Sequence, residues 1–251
     1  CGDGDGKEMK KEAKKADIVL QTEEELVDLY QNPKAYKGAE VHFTGRAFSI
    51  EKDGDFTYMQ VWENPEDVEN NTIVKFDSSL AKVKEDDYVK VVGIVGKEFK
   101  GKNMLGGEVK APTVEANSVE IISAVEAIAP TKETKEINET KTQHNVSIDV
   151  QKIEFADEQT RVYVKVRNDS QMTIDFYTFN TKLIEGSTQH EEETLSVSGL
   201  PEMPSELLPG IEAEGMIVFP SVETKEGLKL QAKVSGDDYD LSFEPFVFEL
   251  P

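Results

Sequence analysis

Any catalytic or metal chemistry in this 251-residue chain would have to be built from three histidines, one thiol and scattered carboxylates. His42, His144 and His190 each stand in an ordinary polar context, and none has a nucleophile or second ligand at a diagnostic distance. His190 opens the run HEEE but lacks a second histidine four residues on, so the run is not a zinc-protease helix. It reads instead as a solvated loop, on its charge density. There is neither a Gly-rich phosphate loop after a strand nor a GxSxG elbow. The carboxylate groups Asp3/Asp5, Asp53/Asp55, Glu85/Asp86/Asp87 and Asp237/Asp238/Asp240 are calcium candidates by type. None has the spacing of an EF-hand, and Asp next to Gly is what a tight turn selects for backbone reasons. The expectation is therefore no catalytic residue, no metal site and no cofactor.

Binding chemistry is better represented. In FTYMQVWE a period of two places Thr57, Met59 and Val61 on one face and Phe56, Tyr58, Gln60 and Trp62 on the other. Burying Gln60 without partners would be costly, so the first set belongs inside. The preceding run AEVHFTGRA turns Val41 and Phe43 inward and leaves His42, Thr44 and Arg46 outside. His42, Arg46, Tyr58, Gln60 and Trp62 thus form the candidate ligand-binding face, a mixture common at interface centres. The competing expectation is that Trp62, the only tryptophan, packs under the N-terminal helix or against a second domain.

These positions need a scaffold. Thr22 and Glu25 have the capping-box spacing, Leu26, Leu29 and Tyr30 make one apolar stripe, and Pro33 and Gly38 end the helix. The period then changes to two, through AEVHFTGRAFSI, a turn centred on Asp53-Gly54, DFTYMQVWE, TIVKFD, DYVKVVGIVGKEF and TVEANSVEII. Five strands, a break after the third and a glycine within the first resemble the OB-fold, a small Greek-key barrel, over about residues 36–122. Gly45 suits the bend of a barrel strand and Gly93 close packing at a corner. SSLAKVKEDD, between strands three and four, is long enough for one or two helical turns at most. The resemblance implies oligonucleotide or oligosaccharide binding across strands two and three.

Charge weighs against the first of these ligands. Residues 18–122 hold 12 basic and 20 acidic residues, a net −8, within a chain whose formal charge is −22. Lys97, Lys100, Lys102 and Lys110, in the expected loop between strands four and five, are the domain's one basic patch. Phosphate binding depends on a positive field, and this domain has the opposite sign, so no nucleic-acid partner is expected.

SAVEAIAPTKETKEINETKTQHN, residues 123–145, breaks the periodic pattern and reads as a solvated interdomain linker. Beyond it, residues 146–251 carry 8 basic and 21 acidic residues and alternate in short strands, clearest in TRVYVKVRND. About seven strands at this spacing point to an immunoglobulin-like sandwich without its disulfide. VYVKVRNDS with LLPGIEAEGMIVFP resembles the immunoglobulin-like domain of surface lipoproteins from Gram-positive bacteria, the signature running from Leu208 to Phe219.

The N-terminal stretch agrees with that group. Cys1 is followed by a polar run with five basic and five acidic residues in positions 1–17, which cannot bury enough apolar surface to order itself. Extended, such a run reaches on the order of 50 Å. It resembles the mature N-terminus of a bacterial lipoprotein, with the signal peptide removed and the thiol carrying diacylglycerol and palmitate. The resemblance implies a lipid anchor at Cys1, a flexible tether over residues 1–21 and a place on the outer face of the cell membrane. The organisation expected is tether 1–21, helix and barrel 22–122, linker 123–145 and sandwich 146–251. The function expected is non-enzymatic: a binding or adaptor module for a protein, peptide or cell-wall glycan. The alternatives are a small-molecule or metal receptor and a wall-processing enzyme.

Overall fold

A computed structural model describes residues 18–64, 67–102, 108–237 and 242–251. Cys1 and positions 1–17 lie outside the described residues, as do Asp3/Asp5, Asp238 and Asp240. The protein is mainly β, and the chain divides between Ser123 and Ala124 into two compact units.

The first unit contains β1 (Val19–Leu20), α1 (Glu23–Gln31), β2 (Glu40–Asp53), β3 (Phe56–Asn64), β4 (Asp67–Asp77) and β5 (Tyr88–Val95). A hairpin of β6 (Phe99–Lys102) and β7 (Glu108–Ala111) follows, and then β8 (Thr113–Ile122). The strands run in the order β2-β3-β4-β8-β5, and β5 returns to β2 to close the barrel. All of these pairings are antiparallel except β4 with β8, which is parallel. This is the OB-like Greek-key barrel expected from the pattern. Its interior is supplied by alternate residues, including Val41, Phe43, Met59, Val61, Val74, Phe76, Val89 and Val91.

Two glycines permit the closure. A Cβ on Gly45 would stand 2.3 Å from the Trp62 carbonyl oxygen, and one on Gly93 would stand 2.6 Å from that of Glu115. Neither backbone can yield, so both strand crossings require the missing side chain. Helix α1 is started by the capping box: Glu25 N–H donates to Thr22 Oγ1 at 3.3 Å and Thr22 N–H to Glu25 Oε2 at 3.0 Å. Leu26 and Leu29 of the helix join the barrel core. The β2–β3 turn lies one residue later than expected, at Gly54-Asp55, because Asp53 pairs with Phe56 and Gly54 takes φ +58. The connection after β4 has no helix: Asp77 accepts from Ser79 N–H and hydroxyl at 2.8 and 2.7 Å, which fixes a turn there instead.

The second unit contains α2 (Ala124–Ile128), β9 (Glu133–Gln143), β10 (Val146–Phe155), β11 (Gln159–Asn168), β12 (Ile174–Asp175), β13 (Lys182–Glu185) and β14 (Thr188–His190). It continues with β15 (Glu206–Leu207), β16 (Glu212–Pro220), β17 (Leu228–Ala232), β18 (Ser235–Gly236) and β19 (Phe246–Leu250). Two four-stranded sheets, β16-β11-β10-β9 and β14-β13-β17-β19, enclose one apolar core in an immunoglobulin-like sandwich. A three-stranded sheet, β15-β12-β18, completes the unit.

Two expected boundaries are corrected. The stretch 123–145 is not a linker: it forms α2 and β9, an 11-residue edge strand paired along β10. Its inward positions are polar except for Ile137, which hid the alternation. Lys135 Nζ donates to the carbonyls of Lys225 and Pro251 at 2.8 and 3.1 Å, and Gln143 Nε2 to that of Glu244 at 2.9 Å. Lys141 Nζ donates in the same way to the Val247 carbonyl. The aliphatic stems cover the core while the charged heads reach the backbone opposite. Residues 18–21 were expected to belong to the tether, but Val19–Leu20 pairs in parallel with β2 and Leu20 is buried in the barrel core.

Candidate functional site

The outer face of β2 and β3 is built by alternation and modified by one bulge. Thr57, Met59 and Val61 are buried, while Tyr58, Gln60 and Trp62 are half-buried on the outside, as are His42 and Arg46. Between Ala47 and Ser49 the register against β3 slips by one residue, and Phe48 is the extra one. A bulge re-aims the side chain it carries. Phe48 lands flat on Trp62, with ring centres 3.9 Å apart and planes 15° from parallel. One face of the indole is therefore covered by the neighbouring strand, so Trp62 is neither a core residue nor fully free.

Arg46 stands directly opposite Trp62 in the ladder, with its guanidinium carbon 6.0 Å from the ring centre. Its Nη2 donates to Asp86 Oδ1 at 2.5 Å, and its Nε is buried without an acceptor. Asp86 is held in a left-handed conformation, φ 73. Asp86 N–H donates to the Ala47 carbonyl at 2.8 Å and Ala47 N–H to that of Asp87 at 2.9 Å, so the loop closes onto the bulge. The cluster is thus Arg46, Phe48, Trp62 and Asp86.

The other expected residues lie further along. Tyr58 faces Lys75 in the ladder, whose Nζ stands 4.2 Å from the centre of the Phe56 ring and 6.0 Å from that of Tyr58. Gln60, opposite Ser49, separates this group from the Arg46 cluster. His42 lies four residues before Arg46, on the part of β2 that pairs with β5, and its Nε2 is 2.6 Å from Glu40 Oε1. Sequence reasoning missed Phe48, Asp86 and Lys75, and placed Phe56 on the outer face without counting it in the site. Phe48 was readable, since alternation continued past Arg46 already points it outward. Asp86 comes from a distant loop and left no such signal.

A second polar group lies where α1 packs. Tyr30 hydroxyl is 2.8 Å from Thr72 Oγ1, and burial raises its ionisation well above the ordinary range. Burial beside Tyr30 pushes the Glu63 carboxyl up to about 7, despite the bond to Tyr30, with a small push from Glu23.

The remaining candidates resolve into structure. His190 Nε2 is 3.0 Å from Glu185 Oε2, and Glu185 is held below its usual range by the Thr224 N–H on its other oxygen. Glu191 of the HEEE run pairs with Lys182. His144 occupies the β9–β10 turn at φ 49 and meets Phe243 edge-on at 5.3 Å. Asp87 accepts from Lys84 N–H at 2.8 Å, and Asp53 closes the β2–β3 hairpin. Lys97, Lys100 and Lys110 flank or belong to the β6–β7 hairpin, where Lys100 and Lys34 meet Glu98 at 3.6 and 3.4 Å. Among the described residues, no group of three or more His, Cys, Asp or Glu is placed to hold a metal, and no helix is long and apolar enough to cross a membrane.

No protein-family model and no curated protein matches the chain. A crystal structure of a functionally unknown protein from Listeria monocytogenes EGD-e is 12% identical, covering 44% of this chain and 79% of that one with a TM-score of 0.36.

Proposed function

We propose that this protein is a non-catalytic binding module that acts as a lipid-anchored adaptor on the outer face of the cell membrane. It contacts a protein, peptide or cell-wall glycan through the outer face of β2 and β3. The observation that carries the reading is the stacked Phe48–Trp62 pair beside Arg46 on the outside of a closed barrel. Ring faces offer broad apolar contact at low entropic cost, and the Arg46 guanidinium beside them brings a fixed positive charge, held by Asp86. Aromatics with an arginine are the residue types that concentrate binding energy at interface centres. The electrostatic sign of the barrel argues against polyanions as the ligand.

Trp62 is the sole tryptophan, so its emission reports this face directly. Crosslinking on the native cell surface, followed by capture of the intact protein, should recover a partner that shifts Trp62 emission to the blue when added back. Trp62→Ala and Phe48→Ala should each weaken that capture tenfold or more while leaving the unfolding transition cooperative. Capture unaffected by both substitutions would remove the barrel face from the function.

The anchor rests on Cys1 and its polar spacer, and it is tested separately. Two acyl chains at about 0.8 kcal/mol per buried CH₂ hold a protein on a membrane stably. Cys1→Ala should release the full-length protein into the medium with its folding unchanged. Equal detergent-phase partitioning of wild type and variant would end the anchoring proposal.

A further inference from the structure

Large apolar side chains are not spread evenly over the surface of the second unit. Those exposed among its described residues are Tyr177, Phe179, Leu208 and Ile211, with Phe179 at 59% and Leu208 at 55%. All four lie in the segments that leave β12 and β15, which pair with each other in the three-stranded sheet. Apolar exposure concentrated in this way marks an interaction surface more often than scattered exposure does.

The patch is held rigid from beneath. Tyr177 and Phe179 rings lie 5.3 Å apart. Leu208 and Ile211 are the corners of a turn through Pro209 and Gly210, closed by Ile211 N–H to the Leu208 carbonyl at 3.1 Å, with Gly210 at φ +79. Pro followed by a positive φ is the type II pattern. Asn168, wholly buried, pins this turn. Its side-chain nitrogen donates to the carbonyls of Met172 and Leu207 at 2.8 and 2.9 Å. Its backbone N–H donates to Ile211 at 2.9 Å, and its carbonyl accepts from Gly210 at 2.7 Å. A surface ordered before binding loses less entropy when it binds.

Between the two apolar ends lies a pair of like charges. Ile174 and Leu207 pair and are buried, so the next pair, Asp175 and Glu206, faces outward. Carboxylates directly opposite each other in a ladder repel. Neither has a hydrogen-bond or ion-pair partner among the described residues, while nearby Lys182 is held by Glu191 and Arg167 by Asp169. On the far flank of β12, Lys233 precedes β18 and Asp237 follows it.

We propose that this face docks a segment of a partner protein that carries a lysine or arginine between two apolar side chains. Charge complementarity selects this occupant. Residues 124–251 hold 11 basic and 25 acidic residues, so an acidic segment or a second copy of the same face is repelled. At about 3.3 Å per residue, the four steps from Thr173, which follows on from the turn in the β12–β15 register, to Tyr177 span about 13 Å. The cation sits over Asp175 and Glu206, with its apolar neighbours reaching Tyr177/Phe179 on one side and Leu208/Ile211 on the other.

Selection of a random displayed 12-residue peptide library on the intact chain tests this without presupposing a sequence. The expected winners carry Lys or Arg flanked by apolar residues. Their affinity should fall tenfold or more in Asp175→Asn/Glu206→Gln and in Phe179→Ser/Leu208→Ser, and should weaken as salt is raised. Glu223→Gln/Glu226→Gln makes the same charge change elsewhere on the unit and should leave binding intact, as should Trp62→Ala. Winners without a cation, an equal loss in the Glu223/Glu226 variant, or no enrichment at all would overturn the proposal. An unfolding midpoint unchanged in Asp175→Asn/Glu206→Gln keeps a loss of binding from being a loss of fold.

Discussion

The β2–β3 hairpin of the barrel and the β9–β10 hairpin of the sandwich are built alike. Each joins long antiparallel strands through a two-residue turn, Gly54-Asp55 in one and His144-Asn145 in the other, and each contains a bulge. They differ in what faces inward. Val41, Phe43, Met59 and Val61 fill the barrel, whereas β9 turns Lys135, Ile137, Glu139, Lys141 and Gln143 toward its core. A strand inside a closed barrel is covered on both flanks, so its inner face takes apolar side chains or a short hydroxyl with a partner, as Thr57 has in Ser78. An edge strand is covered on one flank, so long polar side chains can lay their stems over the core and satisfy their heads at the rim. Inward charges on an edge also discourage pairing with another chain.

If the polar anchoring of the sandwich edge is as strong as the apolar anchoring of the barrel, the largest effect belongs to Arg161. This side chain is 1% exposed. It donates to the Ala129 carbonyl at 2.6 Å and to Thr131 Oγ1 at 2.7 Å, and it lies 3.3 Å from Glu154. These contacts bind the segment entering β9 to the sheet. Arg161→Ala should lower the stability of the second unit by about 3–5 kcal/mol, because it empties a buried space, cuts both hydrogen bonds to the segment entering β9 and leaves Glu154 with Lys152 as its remaining cation. Denaturant unfolding measures it, and a cost under about 1 kcal/mol would show that the anchoring is ornamental.

The matching cut in the barrel is Met59→Ala, which should cost about 3 kcal/mol in the first unit through the cavity it leaves. A third test uses acid. Glu63 is protonated up to about pH 7 in the folded barrel but ionises near 4.5 once unfolded, so the native state binds the extra proton between those values. Stability of the first unit therefore falls as pH rises from about 4.5 to 7 and is flat above that, by about 1 kcal/mol for a carboxyl that stays partly solvated. Glu63→Gln should flatten this slope, and an unchanged profile would assign it to another group. The smallest effect is expected for Lys141→Met, which keeps the stem and removes the head. It should change stability by less than about 1 kcal/mol while making the edge more prone to association, read by light scattering.

The same contrast explains what was legible in the sequence. The barrel order followed from strict alternation, Gly45 and a capped helix, and the outward residues Arg46, Tyr58, Gln60 and Trp62 followed from the same period. The strand β9 was lost because its inner face, Ile137 apart, reads as polar. The signal that could have found it is His144-Asn145, whose positive φ values make the turn into β10. The pairing of Arg46 with Asp86 was out of reach, since 40 residues separate them and only the closing of a loop onto the bulge joins them.

The parallel pairing of β1 with β2 decides where the molecule yields under tension. Val19 faces Glu40 and Leu20 faces Val41, and this two-residue seam is the first strand pairing among the described residues. A pull from that side loads the seam first, then Leu20 in its core site and the bonds that Gln21 and Thr22 N–H donate to Glu25. The force is thereby taken up by a short, expendable joint and the first turn of α1. The closed circuit of β2, β3, β4, β8 and β5 lies beyond that joint along the chain, so the joint is loaded before the seams of the barrel are.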